Sequence, residues 1–183
     1  MVRSSSMNGA EKIAATYLRL NGFLLLPQFT VFNGQRHNHV DLIGVRCAGS
    51  IERVGDFVFP TDDVFFDAVA AAGVADPRHQ WFGLVAEVKG NDDIERPSED
   101  HIAYVRPFIG NLEIVPVCFS ESAGTPELSG DCVSLSASYA LNWIYERVKR
   151  MDAELNLSKT GSWVLSDDPL SNLLTVGTYL RIF

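Results

Sequence analysis

Cationic side chains are scarce in this chain: 15 Lys and Arg stand against 23 Asp and Glu in 183 residues, for a formal net charge of −8. That balance excludes a protein that coats nucleic acid through bulk positive charge. It leaves room for an enzyme that holds a polyanion in a local basic groove with the help of a bound cation. The acids crowd into two stretches, Glu52 to Asp76 and Asp92 to Asp100, away from much of the remaining surface. Cysteine is also sparse. Cys47, Cys118 and Cys132 form no CxxC pair, which argues against a zinc ribbon and for reduced thiols, with Cys47 and Cys118 in or beside apolar runs. No run approaches the roughly 20 apolar residues of a membrane span. Met1 to Met7 lacks the apolar stretch of a secretory signal. The expected setting is cytoplasmic, with no membrane partner. Repeats and low-complexity segments are absent.

Apolar residues make up 46% of the chain and charged ones 21%, enough for one domain with a sizeable core. Helical and strand-like patterns alternate, which predicts an α/β fold. A polar leader, residues 1–9, precedes a helix from about Ala10 to Leu20, with Asn8 as N-cap and Glu11 in the first turn. Phe23 to Phe32 reads as a strand that bends at Pro27. Asn33-Gly34 is a hairpin signal, and Asn38 to Arg46 returns from it. Residues 47–79 read as an insertion holding a hairpin, Ile51 to Phe59, and a helix, Asp63 to Ala72. Trp81 to Lys89 is the central strand, followed by an acidic loop and a helix near Ser98 to Arg106. Strands at Leu112 to Phe119 and Cys132 to Leu135 follow, then a helix capped by Ser136 or Ser138 that runs to about Leu155. Residues 156–183 form a partly apolar extension expected to pack on the domain. Trp81, Trp143 and Trp163 read as packing residues.

The chemistry is concentrated at the end of the central strand. Alternation sends Glu87 and Lys89 to one face and Val88 to the other. Burying a carboxylate and an ammonium there is costly unless they have partners. A second acid, Asp41, lies in the apolar run His39 to Val45, and neighbouring strands would bring Asp41, Glu87 and Lys89 together. The bland reading of Glu87 and Lys89 is a strand end reaching solvent. Asp41 could instead pair with Arg36 or Arg46, and Asp56 or Asp63 would replace it under a different strand order. Glu11 needs only the helix dipole to explain it. His37, His39 and Asp41 alternate, a spacing that could suit a transition metal. The favoured reading leaves His37 in the hairpin loop and His39 beside the groove. His101, Tyr104 and Arg106 on the following helix could touch substrate, while Arg147, Lys149 and Arg150 form a small basic cluster.

Helix, strand, strand with Asp, strand with Glu-x-Lys, helix, strand: this order resembles the PD-(D/E)XK nuclease superfamily, nearest its resolvase-like and Mrr-like branches. The resemblance covers about Ala10 to Leu155. It departs from the pattern in two ways, since Asp41 lies 46 positions before Glu87 and no proline precedes it. It implies a restriction-endonuclease-like αβββαβ core with a mixed central sheet flanked by helices. It also implies catalytic Asp41, Glu87, Lys89 and Glu11, with Mg²⁺ (or Mn²⁺) held by Asp41, Glu87 and the main-chain carbonyl of Val88. His39, His101 and Arg106 are the expected supporting or substrate contacts. The implied activity is Mg²⁺-dependent endonucleolytic cleavage of DNA in restriction, phage defence or repair. RNA stays open as a substrate, and a homodimer or larger complex as the assembly. The alternative is a nuclease-like binding or interaction module without turnover.

Overall fold

A computed structural model of the chain describes residues 7–33, 36–50, 53–54 and 57–155. The leader up to residue 6, Gly34, Asp56, Trp163, the extension 156–183 and the His37 side chain lie outside the described residues.

The described residues form twelve elements, with helices interspersed among strands. They are α1 (Gly9–Leu20), β1 (Phe23–Asn33), β2 (Arg36–Arg46), β3 (Arg53–Val54), β4 (Phe57–Val58), α2 (Asp63–Ala71), β5 (Phe82–Val88), α3 (Glu99–Ile109), β6 (Ile114–Phe119), β7 (Glu127–Ser129), β8 (Cys132–Leu135) and α4 (Ala137–Leu155). Six strands make one mixed sheet in the order β1-β2-β5-β6-β8-β7, and β3 and β4 form a separate two-stranded hairpin. β5 runs antiparallel to β2 and parallel to β6, and β6 is parallel to β8. The fold is thus α/β with helices on both sides of a mixed sheet, as the alternation of patterns predicts.

The helix boundaries follow from their caps. Asn8 accepts the Glu11 N–H, and the Glu11 carboxylate reaches back to the Asn8 N–H, a reciprocal capping box. Ser98 starts α3 in the same way with His101, and Ser136 accepts the Tyr139 N–H at the start of α4. α3 runs three residues past the expected Arg106, carrying Pro107 within it.

Strand parity divides the core. Leu42, Leu84, Ala86 and Val88 face α1, α2 and α4, where Tyr17, Leu18, Phe65, Phe66, Val69, Ala140 and Ile144 pack on them. Ile43 and Val85, paired across β2 and β5, face α3 with Val105 and Ile109. Gly83 permits the close approach of α3, because a Cβ there would lie 2.7 Å from Ile109 Cγ2. The segment read as an insertion therefore supplies α2 to the main core. Trp81 corrects an expectation: it is exposed, because β5 begins one residue later and Trp81 precedes its buried run. Trp143 packs at the border of the main core. Cys118 and Cys132 are buried free thiols, and Cys47 is half-buried. No helix among the described residues is long and apolar enough to cross a membrane.

Candidate functional site: a carboxylate pair where two central strands part

Backbone pairing between β2 and β5 ends at Leu42 and Ala86. One step further, the register sets Asp41 opposite Glu87, and cross-strand neighbours on one face stand close enough to touch. Beyond the last pair the Val88 N–H donates to Asp41 Oδ2 at 2.8 Å. The aspartate thus takes over a ladder donor just as the strands separate. Val88 meets the site through its N–H.

Asp41 and Glu87 are both buried, at 8% and 4% exposure. Burial pushes the Glu87 carboxyl up to about 8, and the adjacent Asp41 carboxylate adds to the rise through its charge and a side-chain hydrogen bond. Glu87 therefore tends to keep its proton beside Asp41. Each is flanked by an imidazole: His39 Nδ1 lies 3.3 Å from Asp41 Oδ1, and His101 Nδ1 lies 3.3 Å from Glu87 Oε1. The second contact is no hydrogen bond in this arrangement, because the same nitrogen accepts the Ser98 N–H at 3.4 Å. Glu87 Oε1 is therefore a buried oxygen without a hydrogen-bond donor.

Lys89, on the same strand parity as Glu87, is only partly buried. Its Nζ pairs with Glu95 Oε2 at 2.5 Å. That hydrogen bond is the main reason its ammonium is held above the usual lysine range, and the charges of Glu87 and Asp41 also contribute. The lysine is thus within electrostatic reach of the acid pair while bonded to a third acid.

The remaining candidates are engaged with other partners. Glu11 is engaged with Asn8 and accepts from Gln28 Nε2 at 3.2 Å. Gln28 faces Asp41 in the β1–β2 register, between the pairs Pro27–Leu42 and Phe29–Val40, and the regular pairing lapses at that position. Its φ of 51° is the only positive value at a non-glycine among the described residues. The bend expected at Pro27 falls here, one residue later. Arg106 Nη1 donates to the Leu112 carbonyl at 2.8 Å and so ties down the loop after α3. Arg46 does not serve Asp41. It is buried among the carbonyls of Asn21, Ser50, Pro77 and Arg78.

Asp62 is another buried acid, one that sequence pattern does not reveal. Asp62 caps α2 and accepts the hydroxyls of Tyr17 at 2.6 Å and Tyr139 at 3.0 Å. Its position in the string Thr61-Asp62-Asp63 looks like solvated surface. The one available signal was an acid immediately before an apolar helical run.

A divalent cation can be judged against these groups. Among the described residues no three His, Cys, Asp or Glu side chains are already gathered as a metal site. A hard cation such as Mg²⁺ keeps several waters and needs only one or two protein carboxylates. Asp41 and Glu87 meet that requirement, and the undonated Glu87 Oε1 is an oxygen that a cation would satisfy. No protein-family model, curated protein or solved structure matches this chain.

Proposed function

We propose that the protein is a Mg²⁺-dependent nuclease that hydrolyses phosphodiester bonds in DNA, working in a cytoplasmic setting such as restriction, phage defence or repair. The observation that carries this reading is the buried Asp41–Glu87 pair, with an undonated oxygen and with Lys89 two residues beyond Glu87. Two acids buried together destabilise the fold unless something offsets their charge, and such arrangements cluster at functional sites.

In this scheme Asp41 and Glu87 hold the cation, with Mn²⁺ able to replace Mg²⁺. The bound ion supplies an activated water and neutralises charge on the phosphoryl group. Val88 N–H and His39 fix the Asp41 carboxylate, and His101 stands against Glu87. Lys89 offsets the charge that accumulates on the phosphorus oxygens at the transition state. With a net charge of −8, the protein needs this local cationic site to meet a polyanion. A homodimer supplies a second site where two strands are to be cut.

A second reading, a binding module without turnover, is favoured by one contact: Lys89 is bonded to Glu95. Incubation with supercoiled and linear DNA plus Mg²⁺ or Mn²⁺ separates the two. The nuclease nicks or linearises the plasmid, and Asp41→Asn and Glu87→Gln each lower the rate at least about 100-fold, the scale expected when a metal-binding or charge-stabilising group is removed. A wild-type protein that binds neither cation and leaves every substrate intact refutes it.

A further inference from the structure

The loop between β5 and α3 is fastened to the neighbouring strand connection. The Asn91 carbonyl accepts from the Glu121 N–H at 3.1 Å, and the Asp92 carbonyl from Ser122 Oγ at 2.8 Å. Asn91 and Asp93 bond to each other, and Arg96 Nη2 donates to Ser129 Oγ at 3.0 Å. Between these anchors the Glu95 side chain reaches Lys89 Nζ. An acid that merely decorates a loop has no need of such fastening on both sides. A carboxylate presents anionic oxygens and one negative charge, as does the phosphate of a nucleic-acid backbone.

We propose that Glu95 is a built-in latch: its carboxylate occupies the Lys89 ammonium as a stand-in for backbone phosphate, and nucleic acid must displace it to engage the site. This rests on the nuclease reading and adds regulation to it. It also accounts for the contact that favours a binding module, because a latched lysine is the resting form of an active site. The latch raises the threshold for weak, nonspecific polyanions, since each must compete with an acid already held beside the lysine. Asp92 and Asp93 on the same loop add general repulsion but make no bond to Lys89.

The test is fluorescence anisotropy of a fluorescein-labelled 20-base-pair duplex, with Ca²⁺ replacing Mg²⁺ to hold back cleavage. Glu95→Gln is expected to bind about two- to fivefold tighter, the scale of an exposed ion pair. Its log–log salt dependence is expected to steepen by about one unit, the signature of one more cation available to phosphate. The gain disappears in the Lys89→Ala background, and Asp93→Asn reproduces little of it. With Mg²⁺ present, Glu95→Gln lowers KM and leaves kcat unchanged. An equal gain from Asp93→Asn, or a gain that survives Lys89→Ala, means bulk charge and overturns the latch while the nuclease reading stands. A fall in kcat at constant KM makes Glu95 a positioning residue for Lys89 and overturns it likewise. Failure of every variant to bind the duplex removes the nuclease reading and the latch together.

Discussion

Glu87 holds its proton far more tightly than a free glutamate, and the sign of that shift fixes its effect on stability. A carboxyl whose value rises on folding, here from 4.5 to about 8, stabilises the fold fully below about pH 4.5. The contribution is lost as pH climbs through about 8. Urea unfolding of the metal-free protein at pH 5 and pH 8.5 is expected to show a loss larger by up to about 4 kcal/mol for wild type than for Glu87→Gln, whose amide does not titrate. Equal losses would show that Glu87 ionises normally. In the proposed metal site, cation binding is expected to have the opposite dependence, because Glu87 must shed its proton to bind it. Stabilisation by Mg²⁺ therefore grows between pH 6 and pH 9. At this scale the sequence marked Asp41, Glu87 and Lys89, since two lie in apolar runs and the third adjoins one. It could not show that Lys89 bonds to Glu95. A six-residue separation across a loop has no periodicity to read, and only the anchoring of that loop sets the contact.

Helices are joined to one another through Asp62 as much as through apolar packing. Its carboxylate caps α2, takes the Tyr17 hydroxyl from α1 and takes the Tyr139 hydroxyl from α4. Burial and the Asp62 charge raise both tyrosines above the usual phenol range, so the hydroxyls remain donors. Asp62→Ala strips the cap and strands two hydroxyls, for an expected loss of about 3 kcal/mol in chemical denaturation. A loss below about 1 kcal/mol would mean that water replaces the carboxylate without strain. Elements with strong caps or long apolar runs were readable: α1 begins at its Asn8 cap, and β5 is an unbroken buried run. β7 was not, because Glu127-Leu128-Ser129 is too short to show alternation and takes its form from pairing with β8. Asp62 was hidden for a related reason, since its partners are 45 and 77 residues away.

Across the whole molecule the chain is pinned at the β2 end remote from Asp41 by one buried cation. Arg46 is 1% exposed, donates to four carbonyls from three segments, and lies 4.6 Å above the Phe66 ring. Desolvation and the nearby Arg78 charge lower its pKa from the usual arginine value, yet the carbonyls hold it in place. Arg46→Met keeps the volume and removes every donor, so a loss of about 3 kcal/mol or more is expected by thermal or urea melting. Near-wild-type stability would mean that the four carbonyls find water. Arg46 is a candidate partner for Asp41 in the sequence, whereas five residues of extended β2 set the two about 16 Å apart and on opposite faces of the sheet.

The parting of β2 and β5 beyond Leu42 and Ala86 has a consequence for synthesis. Asp41 leaves the ribosome long before Glu87, and β5 is sheltered on its other side only once β6, Ile114–Phe119, has joined it. His101, which stands against Glu87, belongs to the crossover between those two parallel strands. A nascent chain that has not yet emerged through Phe119 therefore has the site's residues but not the site. If the protein is the nuclease proposed above, its activity is deferred until β6 has joined the sheet.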